Sequence, residues 1–261
     1  MLCARCDLKL PMENSASYKI YFVNDSAAAI DFGNVIDKDI NAKAIALFNY
    51  LTQHPIEGMI EAIPAYSSVS VHFDIAALRK KIPSHKKAYE WIQNKLNQVM
   101  LNEFTGLETT PDLVRIPVCY DDEFANDLPW IAEQKNLTRE EVLHLHTSRQ
   151  YRVYMLGFLP GFSYMGEVDE RIVVRRKPEP QAILAGSVGL AGKQTGIYPL
   201  NSPGGWQIIG RTPLKMFNKN NIEPCLLKAG DAVEFYSITI DEFNYMLKNP
   251  PLQRERARAE L

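Results

Sequence analysis

Four segments in the C-terminal half of the chain combine glycines with aromatic and polar residues, a composition suited to a ligand site. They are residues 157–164 (GFLPGFSY), 184–189 (LAGSVG), 191–199 (AGKQTGIYP) and 201–213 (NSPGGWQIIGRTP). Glycine has no Cβ and lets backbone amides approach a ligand, while a neighbouring Tyr or Trp forms the wall of a pocket. The four segments predict one concave surface if the fold brings them together.

Each segment taken alone also fits a structural interpretation. Residues 157–162 can form a bulged barrel corner, and Trp206 can plug the end of a barrel after a Pro-Gly-Gly turn. The polar residues within the glycine runs favour a ligand site, because a structural turn requires no cation, amide or hydroxyl. These polar residues are Lys193, Gln194, Thr195, Ser202 and Arg211.

Histidine supplies the candidate for proton transfer. His144 and His146 lie near the end of a helix that a capping box at Thr138 and Glu141 begins. Side chains at positions i and i+2 point to different faces of a helix, which argues against joint metal ligation, and we predict no metal site. Either histidine can also be a cation at the helix C-terminus. His146 is nearer the first glycine segment and is the candidate for proton transfer or a substrate hydrogen bond.

Two common catalytic motifs are excluded by their spacing. Residues 187–195 (SVGLAGKQT) fail the P-loop pattern, because serine replaces its first glycine, glutamine follows the lysine, and the next residues, GIYP, cannot begin a helix. Residues 161–166 (GFSYMG) lack the Gly-x-Ser-x-Gly spacing of a serine hydrolase. Cys3 and Cys6 form a Cys-x-x-Cys pair with no second pair to complete a zinc site.

The composition is typical of a soluble globular protein. The 261 residues include 29 basic and 31 acidic ones. Because the sequence has no basic stripe, we expect no binding to nucleic acid or to a membrane surface. There is no apolar run of about 18 residues and no secretory signal pattern, which predicts a cytoplasmic location. Four cysteines, two of them clustered, predict a reducing compartment.

The first half predicts a small α+β domain, residues 18–104, after an N-terminal extension of residues 1–17. Strands are expected at 19–23, 27–32, 59–64 and 67–73, and amphipathic helices at 40–51 and 88–100. Asp39 or Asn41 is expected to cap the first helix. This ββαββα order predicts a sandwich-like α/β arrangement with the helices on one face of an antiparallel sheet.

A polar linker at 105–112 precedes a second domain, residues 112–240. Two short helices are expected around 127–145, followed by brief strands at 151–157, 172–174, 187–190, 207–210 and 232–238. Short strands separated by glycine turns predict a β-barrel with tight corners. Residues 241–261 are expected to form a helical tail.

Seven motifs of this half resemble a known family. They are HTS (146–148), YRVYMLGF (151–158), PGF (160–162), AGSV (185–188), QTGIYP (194–199), SPGGW (202–206) and IGRTP (209–213). In this order they are similar to the allophanate hydrolase subunit 1 or sporulation-kinase-inhibitor family, and the match spans about residues 18–238. The resemblance implies a cyclophilin-like β-barrel without implying prolyl isomerase activity.

The resemblance also implies one component of an ATP-dependent 5-oxoprolinase, which opens 5-oxo-L-proline to L-glutamate with partner subunits A and C. The assembled complex is expected to use the ATP. On this view Lys193 and Arg211 hold the phosphoryl charge, Gln194 and Thr195 hold the ring amide, and His146 is a third catalytic candidate. The expected substrate-binding residues also include Tyr164, Tyr198, Ser202, Gly204, Gly205 and Trp206.

Two departures and two alternatives accompany this resemblance. Leu184 replaces a proline that the family usually places before AGSV, and Ala125-Asn126 replaces a Gly-Pro pair, so both loops are expected to differ in backbone shape. Inhibition of a sensor histidine kinase and amide hydrolysis of allophanate or urea derivatives are the alternative functions.

Overall fold

A computed structural model describes residues 18–101 and 111–250 of the chain. The expected N-terminal extension with Cys3 and Cys6, most of the expected linker and residues 251–261 lie outside the described residues. A four-stranded sheet with helices, followed by a closed β-barrel, confirms the predicted α+β fold class. No helix in the described part of the chain is both long enough and apolar enough to cross a membrane.

Alternating apolar residues explain the first sheet. Its four antiparallel strands are β1 (Lys19–Asn24), β2 (Ala27–Asp31), β3 (Met59–Pro64) and β4 (Ser68–Phe73). They are arranged in the order β1-β2-β4-β3. In β4 the side chains of Val69, Val71 and Phe73 are buried, whereas the residues between them are half-buried, so one face of the sheet meets the core.

Three helices share a hydrophobic core with that face: α1 (Lys38–Gln53), α2 (Ile75–Lys81) and α3 (Ala88–Leu101). The α1 helix begins before its predicted cap. Asp37 is the N-cap in place of Asp39 or Asn41, because its carboxylate accepts hydrogen bonds from the backbone N–H groups of Asp39 and Ile40. The α2 helix is absent from the predicted elements, since seven residues are too few to show a clear helical period.

The second half closes into a barrel of seven strands. They are β5 (Leu113–Cys119), β6 (Gln150–Leu156), β7 (Ser163–Gly166), β9 (Ser187–Ala191), β10 (Gln194–Ile197), β12 (Gln207–Arg211) and β13 (Ala232–Ile238). Around the barrel they follow the order β10-β7-β6-β13-β5-β12-β9. Strand β13 pairs in parallel with β5, and the other barrel pairs are antiparallel. A separate small sheet pairs β8 (Gln181–Ile183) with β11 (Ser202–Gly204).

The prediction of a strand at residues 172–174 is wrong. A short 3-10 helix spans Glu170–Ile172, and Val174 makes only an isolated β-bridge. The Asp169 carboxylate accepts a hydrogen bond from the backbone N–H of Arg171, which turns the chain where a continuous strand is expected.

Three further helices pack on the barrel: α4 (Leu128–Lys135), α5 (Arg139–Thr147) and α6 (Ile240–Lys248). The predicted capping box is present, because Thr138 and Glu141 each accept a hydrogen bond from the other's backbone N–H. In α6 the ring of Phe243 packs against Phe124, with 4.5 Å between the ring centroids.

Candidate ligand-binding surface between the sheet and the barrel

Trp206 lies on two glycines that face each other across neighbouring strands. Gly189 of β9 pairs with Gly196 of β10. A Cβ on Gly189 would lie 3.0 Å from the Cβ of Trp206, and a Cβ on Gly196 would lie 3.0 Å from its Cζ3. Glycine at both positions therefore lets Trp206 pack closely against the two strands. Trp206 is 3% exposed.

Further aromatic rings surround this indole. We call the set the aromatic surface, and it comprises Tyr66, Tyr154, Phe162, Tyr164, Tyr198 and Trp206. Tyr66 and Tyr164 are half-buried and form its accessible part, while the other four rings are buried behind them. Ring centroids of Phe162 and Trp206 are 5.4 Å apart, and those of Tyr164 and Trp206 are 5.9 Å apart. Phe162, Tyr164, Tyr198 and Trp206 belong to a hydrophobic cluster separate from the barrel core.

Tyr66 extends the aromatic surface beyond the barrel. It lies on the turn between β3 and β4, and its ring centroid is 5.7 Å from that of Tyr154 and 6.1 Å from that of Tyr164. Gln194 Nε2 donates a hydrogen bond to the Tyr66 hydroxyl. Burial raises the pKa of Tyr66 to about 12, while the Gln194 hydrogen bond acts in the opposite direction. The phenol therefore stays protonated at neutral pH.

Asn41 fixes Tyr66 in this position. Its side chain is fully buried, and Nδ2 donates to the carbonyl oxygens of Ala65, Tyr66 and Tyr154 at 3.3, 3.1 and 3.0 Å. Its Oδ1 accepts from Arg152 Nε at 2.7 Å. One amide group thus links helix α1, the β3–β4 turn and barrel strand β6.

Arg176 also lies over the ring of Trp206. Its guanidinium carbon is 5.9 Å from the Trp206 ring centroid, within the range of a cation–π contact. The next residue, Lys177, fixes the loop that carries Arg176. The Lys177 backbone N–H donates to Gly205 O at 2.7 Å, and the Lys177 ammonium group pairs with the Asp127 carboxylate at 2.6 Å. Both side chains of that ion pair are largely buried.

Several predicted substrate-binding residues meet around Tyr198. The Tyr198 phenol forms a hydrogen bond with the Trp206 backbone, and a Cβ on Gly204 would lie 2.3 Å from the phenol oxygen. The Ser202 hydroxyl is buried and has no hydrogen-bond partner in the described structure. Gly205 is half-buried beside Arg176. The structure therefore brings Tyr164, Gln194, Tyr198, Gly204, Gly205 and Trp206 into one region.

Lys193 and Arg211 do not meet. Arg211 pairs with Ser187 at the start of β9, whereas Lys193 follows the end of that strand. Lys193 forms an exposed ion pair with Glu170 at 3.6 Å. Arg211 Nε donates to Ala185 O at 2.8 Å, and its guanidinium carbon lies 5.5 Å from the Phe124 ring centroid. The expected hollow containing Lys193, Trp206 and Arg211 together is therefore not formed.

His146 and Thr195 lie inside the barrel. His146 is fully buried, with Nδ1 3.1 Å from the Tyr120 hydroxyl and Nε2 3.0 Å from Thr195 Oγ1. Thr195 Oγ1 donates to Gly189 O at 3.2 Å, so it accepts from His146 Nε2–H, and Tyr120 donates to Nδ1. Burial lowers the pKa of His146 to about 3. We therefore place both residues outside the ligand-binding surface.

Tyr66, Tyr154 and Arg176 belong to this region, but the sequence patterns do not identify them. A run of basic residues at 175–177 is the one local signal for Arg176. Tyr66 carries no local signal, because its place depends on Asn41 and on the barrel. Within residues 18–101 and 111–250, no group of three or more His, Cys, Asp or Glu side chains is arranged to hold a metal ion.

Comparisons with known proteins agree with the motifs of the barrel. A family model described as "Carboxyltransferase domain, subdomain C and D" matches residues 18–227. The chain is 40% identical to the B subunit of 5-oxoprolinase from Bacillus subtilis (strain 168) over 229 residues, 87% of this chain and 95% of that protein. It is 34% identical to the B subunit of 5-oxoprolinase from Escherichia coli O157:H7 over 218 residues, 83% of this chain and 94% of that protein.

A solved structure shows the same fold within a longer chain. The crystal structure of TTHA0988 matches 81% of this chain with a TM-score of 0.68 and 33% sequence identity. The match covers 39% of the TTHA0988 chain, so this protein spans about two fifths of that length.

Proposed function

The chain belongs to the family of the carboxyltransferase domain, subdomains C and D, and from that premise we propose that it is one component of an ATP-dependent 5-oxoprolinase. In this proposal the chain acts with partner subunits A and C to open 5-oxo-L-proline to L-glutamate. The observation that carries the proposal is its similarity, along nearly their whole length, to two proteins named as the B subunit of 5-oxoprolinase.

The aromatic surface suits a small cyclic amide. 5-Oxo-L-proline has one flat five-membered ring, a lactam amide and a carboxylate. Tyr66 and Tyr164 bring two half-buried aromatic rings together, and the carboxamide of Gln194 lies beside Tyr66 for the lactam amide. We propose this surface as the place where the chain holds the substrate.

Lys193 and Arg211, the two cations expected to bind the phosphoryl group, do not form one site in this proposal. Lys193 is engaged by Glu170 and Arg211 by Ala185 O, at opposite ends of β9. This arrangement supplies no joint phosphate site, so we assign ATP to the assembled complex. Phosphorylation of the lactam oxygen there gives water a better electrophile, and the role of this chain is to orient the ring.

Reconstitution of the complex tests the function. The purified chain is mixed with the two partner subunits, and L-glutamate release from 5-oxo-L-proline is measured with and without ATP. We expect ATP-dependent turnover from the mixture and none from the chain alone or from a mixture lacking it. Turnover that does not require this chain would reject the proposal.

A further inference from the structure

Arg176 is a cation without an anionic partner. It is exposed, and it makes no hydrogen bond or ion pair with any residue in 18–101 or 111–250. Its neighbours are aromatic: the guanidinium lies over Trp206, and its charge acts on the phenols of Tyr66, Tyr164 and Tyr198. All five donors of the guanidinium are therefore available to a ligand.

The loop that carries Arg176 is held at three points. Lys177 contributes its backbone bond to Gly205 O and its ion pair with Asp127, and its ammonium also donates to Gln181 Oε1 at 2.8 Å. Asp127 in turn accepts from the Ile208 backbone N–H at 2.6 Å. Arg176 is thus anchored to the strand that follows Trp206, and its backbone is positioned before a ligand arrives.

The surroundings of Arg176 match an anion attached to a small flat ring. Tyr66 and Tyr164 are the half-buried rings of the aromatic surface, with 6.1 Å between their centroids, while Gln194 presents an amide. A carboxylate fits the planar fork of one guanidinium through two parallel hydrogen bonds. A phosphate site usually combines several cations or a helix N-terminus, and the neighbouring Lys177 is already paired with Asp127.

We propose that Arg176 binds the carboxylate of the substrate and so makes the site selective for lactams that carry a carboxylate. The inference rests on the proposed function. Arg176 acts as a specificity-determining residue, with the ring held against the aromatic surface and the amide near Gln194. The Lys177–Asp127 ion pair positions it.

Kinetics of the reconstituted complex test this role. Arg176→Gln removes the charge, Arg176→Lys keeps it, and Arg175→Gln is the matched control at the adjacent exposed arginine. We expect Arg176→Gln to raise KM for 5-oxo-L-proline about 10- to 100-fold, since hydrogen bonds between charged groups are stronger than neutral ones, with kcat and the KM for ATP nearly unchanged. Arg176→Lys should recover part of the loss, and Arg175→Gln should match the wild type.

Direct binding gives a second readout that needs no turnover. Trp206 emission is followed in the full chain carrying Trp91→Phe and Trp130→Phe, which leave this indole as the one tryptophan. The titrants are 5-oxo-L-proline and 2-pyrrolidinone, the same lactam ring without the carboxylate. We expect only 5-oxo-L-proline to change the emission, and Arg176→Gln to abolish the change.

The outcomes separate the two proposals. An inactive wild-type complex whose chain still binds 5-oxo-L-proline through Arg176 rejects the proposed function and keeps this inference. An active complex in which Arg176→Gln leaves the KM for 5-oxo-L-proline unchanged, or raises only the KM for ATP, overturns this inference and keeps the function. Equal binding of 2-pyrrolidinone, or no binding and no turnover by the wild type, also overturns it.

Discussion

Gly196 packs directly against Trp206, and no additional carbon atom fits between them. A Cβ at residue 196 would lie 2.8 Å from Ser163 O and 3.0 Å from the Trp206 ring. The backbone of β10 therefore lies directly against the indole. The shape of the aromatic surface depends on this close approach.

We predict that Gly196→Ala destabilises the fold by about 1–3 kcal/mol, because the added methyl group meets backbone on one side and a packed ring on the other. Chemical denaturation, with tryptophan emission as a second signal, measures the effect. Gly205→Ala is the control, since its Cβ would meet only ordinary contacts at 3.5 and 3.9 Å, and a change within about 0.5 kcal/mol is expected. Equal losses in both variants would contradict the prediction.

Asn41→Ala is expected to weaken the junction between sheet and barrel. The substitution leaves the Tyr154 carbonyl and Arg152 Nε without the Asn41 amide, at a cost of about 2–4 kcal/mol in the free energy of unfolding. Tyr66 should also lose its fixed position, which raises the KM for 5-oxo-L-proline in the reconstituted complex. Asn94→Ala, at an exposed position of α3, is the matched control; a comparable loss there would show that the junction is not responsible.

The buried His146 is expected to make the stability of the fold depend on pH in the acidic range. Its folded pKa of about 3 lies below the ordinary value of 6.5, so the unfolded chain binds more protons between these two pH values. Its contribution is fully present above about pH 6.5 and is lost as pH falls toward 3, with a slope of up to about 1.4 kcal/mol per pH unit. Unfolding curves between pH 4 and 7 should show a smaller slope for His146→Gln than for the wild type.

His144→Gln provides the comparison for this slope. His144 lies two residues away on the same helix but is exposed. Its replacement should leave the slope of the wild type intact. Identical slopes in the wild type and both variants would mean that the buried imidazole does not control acid stability.

Sequence patterns predict the regular elements of the first half, apart from the seven-residue helix α2, and the signal is clearest where the period is clear. The apolar stripe of α1 and the alternation of β4 both lead to the observed core. Strands β7, β8, β10 and β11 contain three or four residues each, too few to show alternation. A proline within a run of residues argues against predicting a strand there, and β5 contains Pro117. The domain limits at 104, 112 and 240 stay predictions.

The candidate site is predictable only in part. The glycine segments indicate the region of Trp206, because close backbone approach leaves a signal in composition. Side chains along a strand point alternately to its two faces, so a shift of β10 by one residue would turn Thr195 from the inside of the barrel to the outside. Arg176 and Tyr66 reach the surface through the Lys177–Asp127 pair and through Asn41. Such long-range contacts leave no local pattern.

The parallel pairing of β13 with β5 has a consequence for synthesis of the protein. Strand β5 is the first barrel strand to leave the ribosome and β13 is the last, so the barrel cannot close until residue 238 has emerged. Until then one edge of β5 exposes unpaired backbone groups, which makes the nascent chain open to association with other strands. We expect closure to be slow and to come late, because it joins segments from the two ends of the barrel sequence.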